Sequence, residues 1–196
     1  MIALSSKLYS FCEELMRLIS LNILLIVFSL PVVTAGGAIV ATMEAIRHPT
    51  TPLIRTYITC FKANFLKSLM VMGFSLCSYM FVKQLTLTIN GLPFSIIINF
   101  LIMSLLLTYN LNCYLLANVL KEQGIKFFRQ AFYFTLGTFH KTFFFSLLGI
   151  GLTLLLSIVL GLFMFLVLFS SLIYLYVKLV TKELNQIQND LFEDRA

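Results

Sequence analysis

Charged residues are scarce in this sequence. Aspartate, glutamate, lysine and arginine make up 11% of its 196 residues, while 60% are hydrophobic; soluble domains carry about 25% charged residues. Tryptophan is absent, so any aromatic anchors at a membrane interface must be tyrosine and phenylalanine. The composition excludes an ordinary soluble domain and indicates an integral membrane protein.

Side chains that catalyse reactions or bind metals are equally scarce. The only histidines are His48 and His140, and both aspartates, Asp190 and Asp194, lie in the C-terminal tail. The four cysteines form no C-x-x-C and no Cys/His ligand spacing. No H-E-x-x-H, G-x-S-x-G or P-loop pattern occurs. We therefore predict a non-enzymatic protein with no cofactor and no metal site.

The basic residues outnumber the acidic ones by 14 to 8. They lie singly between apolar runs and do not form a cluster with interleaved aromatic residues, which disfavours binding to nucleic acid. Retention of Lys and Arg in the cytoplasmic loops of a membrane protein explains the excess better. We expect the partners to be the lipid bilayer and other membrane proteins.

Long uncharged segments predict the membrane spans, because a charged side chain at mid-bilayer costs at least ~2.5 kcal/mol. A turn signal at Asn90-Gly91, with Pro93 after it, ends one span and precedes the next. The last uncharged segment is too long for one crossing and is expected to turn near residues 160–162. The chain is thus predicted to be a single all-α domain over residues 1–196, a polytopic membrane protein with five transmembrane helices. The predicted spans are about 18–41, 68–88, 94–118, 142–159 and 162–178.

The distribution of Lys and Arg predicts the orientation of those spans. Three of the 14 basic residues, Lys7, Arg17 and Lys83, would lie on one side of the membrane and the other eleven on the opposite side. The positive-inside rule places the larger group in the cytoplasm. We therefore predict a multi-pass protein of the cell membrane with the N-terminus outside and the C-terminus in the cytoplasm.

Amphipathic segments are predicted outside the spans. At the N-terminus, apolar residues on one helical face predict an amphipathic helix; they are Leu4, Leu8, Phe11, Cys12 and Leu15. Two cytoplasmic loops, 47–65 and 120–136, are predicted to be structured, and the second has a basic side and an aromatic side. This second loop would either lie among the lipid headgroups or also dock a partner. The candidate docking residues are Lys121, Lys126, Phe128 and Arg129.

Three patterns inside the spans indicate helix packing or a substrate path. Asparagines in spans one and three would either line a substrate path or form hydrogen bonds between helices; they are Asn22, Asn99 and Asn110. Small residues at every fourth position in span four predict close packing; they are Gly149, Thr153, Ser157 and Gly161. A similar series, Gly37, Ala41 and Ala45, follows the first apolar run, and Pro31 predicts a kink in span one.

Two segments resemble a known family. Residues 21–38, LNILLIVFSLPVVTAGGA, and residues 61–65, FKANF, are similar to the corresponding parts of the YesL family of bacterial integral membrane proteins. Residues 30–34 are the most specific part, and the resemblance covers the whole chain in length, span count and loop order. The chain departs from the family pattern at Gly36-Gly37, where members usually have Gly-Pro, and in its lack of tryptophan.

The resemblance implies a function in the bacterial cell membrane. Members of this family tend to be encoded beside carbohydrate ABC importers and polysaccharide-degrading enzymes. A non-enzymatic accessory subunit is therefore implied, one that associates with the permease subunits of an oligosaccharide ABC importer and meets the sugar only through that partner. The alternative is a small independent transporter or channel that uses Pro31 and the asparagines of span three. An importer partner is expected only for the accessory subunit.

Overall fold

The computed structural model describes residues 2–89, 94–120, 122, 124–160 and 163–193. Its side chains are described except in 2–7, 89, 154–160, 163–169 and 187–193. Within this part the chain is all-α, as predicted, with six α-helices, one 3₁₀ turn at Val32–Thr34 and no strand. The helices are α1 (Ile2–Ser29), α2 (Ala35–Arg47), α3 (Leu53–Ile89), α4 (Ser95–Leu116), α5 (Ile125–Leu160) and α6 (Phe163–Glu193). The predicted turns at 90–93 and 161–162 lie outside the described residues.

The first uncharged segment folds as a helical hairpin. α1 ends at Ser29, and Pro31 with the 3₁₀ turn separates it from α2. The Thr34 hydroxyl donates to the carbonyl oxygens of Phe28 and of Pro31, the latter at 2.7 Å, and so closes the turn. The Arg17 guanidinium on α1 donates to the carbonyl oxygen of Ala45 at the end of α2, at 2.9 Å.

That contact shows that the chain reverses its direction. Arg17 and Ala45 are 28 residues apart, and a continuous helix would separate them by about 42 Å. The structure therefore does not have the single helix predicted over 18–41. Pro31 lies at the corner between two antiparallel helices and does not kink a span. The physical reason is the helix-breaking effect of proline, together with the close packing that the small residues of α2 allow.

α2 lies in the middle of the bundle and contacts α1, α3, α4 and α6. Gly37, Ala41 and Ala45, the predicted packing series, are all buried in it. A Cβ added at Gly37 would lie 2.9 Å from the ring of Phe61, and one added at Gly36 would lie 2.7 Å from a backbone carbonyl oxygen of α3. The close packing predicted for this series is confirmed.

Two helices of the described part are long and apolar enough to cross a membrane, Leu53–Thr88 and Ser95–Leu116. They contain most of the predicted spans 68–88 and 94–118. α3 begins at Leu53, so most of the predicted loop 47–65 is the start of the same long helix. The remaining predicted spans, 142–159 and 162–178, fall within α5 and, from Phe163 onward, within α6.

The segment predicted as a separate amphipathic helix over 120–136 is mostly the beginning of α5. Its apolar side packs into the protein, since Phe127, Ala131 and Phe134 are buried in the core cluster that also contains Tyr114. The helix continues without a break to Leu160. The core covers this apolar side only in part, since Phe132 and Leu136 are exposed. The two alternatives for this segment, a position among lipid headgroups and a docking surface, stay predictions.

The described part of the bundle has apolar side chains on its surface as well as in its core, and polar side chains among the buried ones. Thirteen buried side chains are polar but uncharged, among them Asn22, Asn64, Ser104, Thr108 and Asn112. Large apolar side chains stand exposed on α1 and on α3 to α6, and examples are Val27, Phe81, Ile96, Phe144 and Leu175. Much of the surface of this bundle is thus apolar, and some of the buried polar side chains, such as Asn22, Thr108 and Asn112, form hydrogen bonds between helices.

Candidate functional site

The three candidate asparagines each bond to a neighbouring helix. Asn22 is buried, and its Oδ1 accepts from the backbone N–H of Ser170 on α6 at 3.2 Å. On α4, Asn99 Oδ1 accepts from the Thr86 hydroxyl at 3.1 Å and Asn110 Oδ1 from the Ser75 hydroxyl at 3.0 Å. Those two share the face of α4 towards α3, as their spacing predicts. Asn22 bonds to α6, and the three asparagines do not form one site.

A second polar face of α4 escaped the sequence analysis. Asn112 is fully buried and links three helices. Its Nδ2 donates to the hydroxyl oxygen of Thr135 on α5 at 3.1 Å, and its Oδ1 accepts from the Tyr176 hydroxyl on α6 at 2.6 Å. One turn earlier, the Thr108 hydroxyl bonds to that of Ser146 at 2.8 Å. The sequence signal was present, because Asn112 follows Asn110 by two residues and must face another direction.

The beginning of α3 is attached to the end of α4 by polar contacts. Asn64 Nδ2 donates to Asn118 Oδ1 at 2.5 Å, and Lys67 Nζ donates to the carbonyl oxygen of Leu120 at 2.5 Å. The lysine therefore binds the chain just after α4, since Leu120 lies four residues beyond the last residue of that helix. These contacts fix the register of α3 against α4.

A cavity of about 450 Å³ lies among α2 to α6. Asn110, Ser75 and Tyr114 form a polar strip on one side of it, with Tyr114 Oη 3.3 Å from Ser75 Oγ. The rest of the lining is largely apolar and includes Leu107 and Phe145. Such a mixture of an apolar wall with a few converging polar groups is typical of a site for a small molecule.

The small-residue series of α5 borders this cavity. Gly149 and Thr153 line it. Outside Gly149's own part of α5, no atom of the described residues lies within 4 Å of a Cβ added at Gly149. The described residues thus form no close helix contact there, and the close packing predicted for this series stays a prediction. Thr153 is exposed, and its hydroxyl donates to the carbonyl oxygen of Gly149 in the same helix. The side chain of Ser157 and the whole of Gly161 lie outside the described residues.

The candidate docking residues are only partly available to a partner. Lys126 and Arg129 are exposed on the first turns of α5. Phe128 is half-buried, with its ring centroid 5.2 Å from that of Phe74 and its carbonyl oxygen accepting from the Tyr109 hydroxyl at 3.0 Å. Phe128 thus packs within the protein. Lys121 lies outside the described residues.

Charged pairs lie at the ends of the uncharged helical segments. Glu44 bonds to Arg47 at 3.1 Å and to His48 Nε2 at 3.0 Å. Lys141 on α5 pairs with Glu183 on α6, and this hydrogen bond lowers the pKa of the Glu183 carboxyl. In the described part of the chain, no three His, Cys, Asp or Glu side chains are grouped so that they could hold a metal ion.

No family model, curated protein or solved structure matches this chain. The feature of the described residues that suits a small molecule is the cavity beside Asn110. Its described lining does not bring together a nucleophile with a base.

Proposed function

We propose that this chain is a multi-pass membrane protein that acts as a non-enzymatic accessory subunit of an oligosaccharide ABC importer. The observation that carries the first part is the large number of apolar side chains exposed on the surface of the bundle. Exposed Leu, Ile and Phe side chains suit a hydrocarbon environment, in which buried Asn, Ser and Thr hold helices together by hydrogen bonds. In water the same surface would leave contiguous apolar patches exposed.

The helical hairpin suggests a topology other than five spans. Because α1 and α2 enter and leave on the same side, α3 to α6 would provide four crossings, and both termini would lie on one side. Lys83 is then the only basic residue near the far side, and the other thirteen of the 14 Lys and Arg residues lie on the near side. Four crossings thus divide the basic residues thirteen to one, which is more one-sided than the eleven to three of five spans. The positive-inside rule therefore favours four crossings, with the near side in the cytoplasm.

Labelling of single cysteines in intact cells tests this topology. On a cysteine-free background, Ser10→Cys and Gln186→Cys should both resist a membrane-impermeant thiol reagent until the cells are permeabilised. Thr88→Cys, at the other end of α3, should react without permeabilisation. If Ser10→Cys reacts in intact cells, the hairpin does not return to the cytoplasmic side and the four-crossing topology is refuted.

The importer part of the proposal is supported by the resemblance to the YesL family. Its two motif segments touch each other: the ring centroids of Phe28 and Phe61 lie 5.1 Å apart, and Gly37 packs on the same Phe61 ring. Residues 30–34 form the corner of the hairpin, and Asn64 bonds to the end of α4. The residues of the two motifs thus lie where the hairpin turns and where it packs on α3. We expect members of a family with these motifs to share this hairpin and its packing on α3.

Co-purification from native membranes tests the partnership. The tagged full-length chain should retain the permease subunits of a carbohydrate importer. Lys126→Gln/Arg129→Gln should weaken that retention if the first turns of α5 dock the permease. The matched control is Arg55→Gln/Lys62→Gln, which removes two exposed charges from α3 instead. Wild-type retention in both double variants excludes α5 as the docking surface, and absence of any permease from the wild-type sample refutes the accessory role.

The cavity beside Asn110 supports the second candidate, an independent transporter. In that case the purified chain in proteoliposomes should take up an oligosaccharide without an importer. Asn110→Leu should abolish this uptake, whereas Asn99→Leu, which breaks a similar bond to α3 away from the cavity, should not. Uptake that requires added permease would instead favour the accessory role.

A further inference from the structure

A second cavity lies at the end of the bundle where α1, α2 and α6 meet. Its volume is about 610 Å³. Arg17 comes from α1, Arg47 from the last turn of α2, and Lys178 with Lys182 from α6. The distribution of basic residues predicted that Arg17 lies on the opposite side of the membrane from the other three. The structure brings all four around one cavity.

The charges around this cavity do not balance. Glu44 pairs with Arg47, and among the described residues Glu14 is the carboxylate that lines the cavity. The Arg17 guanidinium is held by neutral groups, the carbonyl oxygens of Ala45 and His48, both at 2.9 Å, and that of Pro49. Lys178 Nζ bonds to the Tyr174 hydroxyl at 3.1 Å. Lys182 also acts on the Glu183 carboxyl, which pairs with Lys141 and does not line the cavity. Within the lining, Arg17, Lys178 and Lys182 therefore outnumber one carboxylate, that of Glu14.

The surroundings of these cations are apolar on the inner side. Leu21 and Val177 form buried walls of the cavity, and Leu18 and Ile46 are half-buried beside them. Lys178, Lys182 and Glu14 are exposed. A cavity with cations at its mouth and apolar walls fits a molecule that carries a phosphate next to hydrocarbon. Basic pockets between membrane helices on the cytoplasmic side bind the head groups of anionic lipids in this way.

We propose that the cavity lined by Arg17, Lys178 and Lys182 binds the phosphate of an anionic phospholipid headgroup, with the start of an acyl chain against Leu18 and Ile46. The two lysines supply mobile ammonium donors to the phosphate oxygens. Arg17 supplies a fixed charge, because three backbone carbonyls hold it in place. Glu14 weakens binding by repulsion. This inference rests on the proposed membrane insertion but not on the partnership with an importer, so loss of importer co-purification leaves it intact.

The test is a lipid titration of the full-length protein in detergent micelles, followed by native mass spectrometry and by the melting temperature. Phosphatidylglycerol should bind and stabilise the wild type, whereas phosphatidylcholine should not. Lys178→Gln/Lys182→Gln should weaken binding about 30-fold, since each lysine near an anionic lipid contributes about fivefold. Arg55→Gln/Lys62→Gln removes the same number of exposed charges from α3 and should change binding less than threefold.

Glu14→Gln should change the affinity for phosphatidylglycerol in the opposite direction from the lysine variants. It should tighten binding of phosphatidylglycerol about fivefold by the same estimate, and a misfolded variant cannot imitate this gain. Equal loss in the two double variants would overturn the proposal, because it would mean unspecific attraction to the basic surface. Equal affinity for the two lipids would overturn it as well. A titration with inorganic phosphate distinguishes a free phosphate ion from a phospholipid as the ligand. Stabilisation by phosphate alone, with no further effect of the lipid, would overturn the lipid assignment.

Discussion

Replacement of Asn112 by leucine should separate interior hydrogen bonding from simple packing. Leucine has a similar size, so Asn112→Leu removes two hydrogen bonds without leaving a large cavity. The Thr135 hydroxyl keeps its bond to the carbonyl oxygen of Ala131 at 2.8 Å. The Tyr176 hydroxyl, which is 2.6 Å from Asn112 Oδ1 in the wild type, loses its acceptor inside the bundle.

The expected cost follows from that lost acceptor. A buried donor without a partner costs ~1–3 kcal/mol, while hydrogen bonds between membrane helices average ~0.6 kcal/mol and reach about 1.7 kcal/mol. We therefore expect Asn112→Leu to lower the free energy of unfolding by about 1–2 kcal/mol. Tyr176→Phe should cost about 1 kcal/mol, because it leaves Asn112 Oδ1 without its donor. The double variant should cost less than the sum of the two, since it removes both polar partners together.

Reversible unfolding in mixed micelles of a mild detergent and dodecyl sulphate gives these free energies. Tyr133→Phe is the matched control, because Tyr133 is 63% exposed and its loss of a hydroxyl should change the free energy by less than ~0.5 kcal/mol. If the two single costs add within ~0.3 kcal/mol in the double variant, Asn112 and Tyr176 act independently and the reasoning is refuted. A Tyr133→Phe cost equal to that of Tyr176→Phe would refute it too.

Three further changes test other parts of the bundle by the same unfolding measurement. Gly36→Ala should cost ~1–3 kcal/mol because its Cβ would meet a carbonyl oxygen of α3, whereas Gly149→Ala should stabilise by ~0.5–1 kcal/mol; equal effects would contradict the close contact at α2. Ser104→Ala should be neutral or stabilising by up to ~1 kcal/mol, because within the described residues its buried Oγ has no partner. A clear decrease in the free energy of unfolding would contradict this, because it would show that the Ser104 hydroxyl has a hydrogen-bond partner. The pKa of Glu183 is lowered by Lys141, so the folded state binds fewer protons and the pair stabilises it above the unfolded pKa of about 4.5. That contribution, below ~1 kcal/mol at this partly exposed site, should disappear as the pH falls through the lowered pKa, and Glu183→Gln should remove this part of the pH dependence.

The first uncharged segment shows where hydropathy is insufficient. Its 26 residues between Arg17 and Glu44 are long enough for one crossing, but also for two short helices and a turn. Both arrangements keep charges out of the apolar region, so the charge pattern does not distinguish them. The distinguishing signals were Pro31 and the glycine pair after it, since proline stops α1 and glycines let α2 approach α3 closely. α4 was predictable because it carries no charged residue, and the second half of α3 was predictable from its uncharged residues 68–82, whereas the first half of α3, which contains three basic residues, was predicted as a loop.

The polar interior was predictable only in part, because α4 has two partners. Asn99 and Asn110 lie on one face at helical spacing, and both bond to α3. Thr108 and Asn112 lie on the opposite face and bond to α5 and α6. A search for one polar stripe finds the first face and discards the second. Polar residues on two faces of an apolar helix indicate a helix that is enclosed on both sides by other helices.

Arg17 connects the hairpin to the basic cavity. The carbonyls at the end of α2 lack intrahelical partners, and the negative end of the helix dipole favours a cation there. Arg17 satisfies them and so holds α1 antiparallel to α2. Carbonyl oxygens carry no net charge, however, so the guanidinium still contributes a full positive charge to the cavity beside it. Replacement of Arg17 would therefore loosen the hairpin and weaken the cavity at once, whereas Lys178 and Lys182, which are exposed, change the cavity alone.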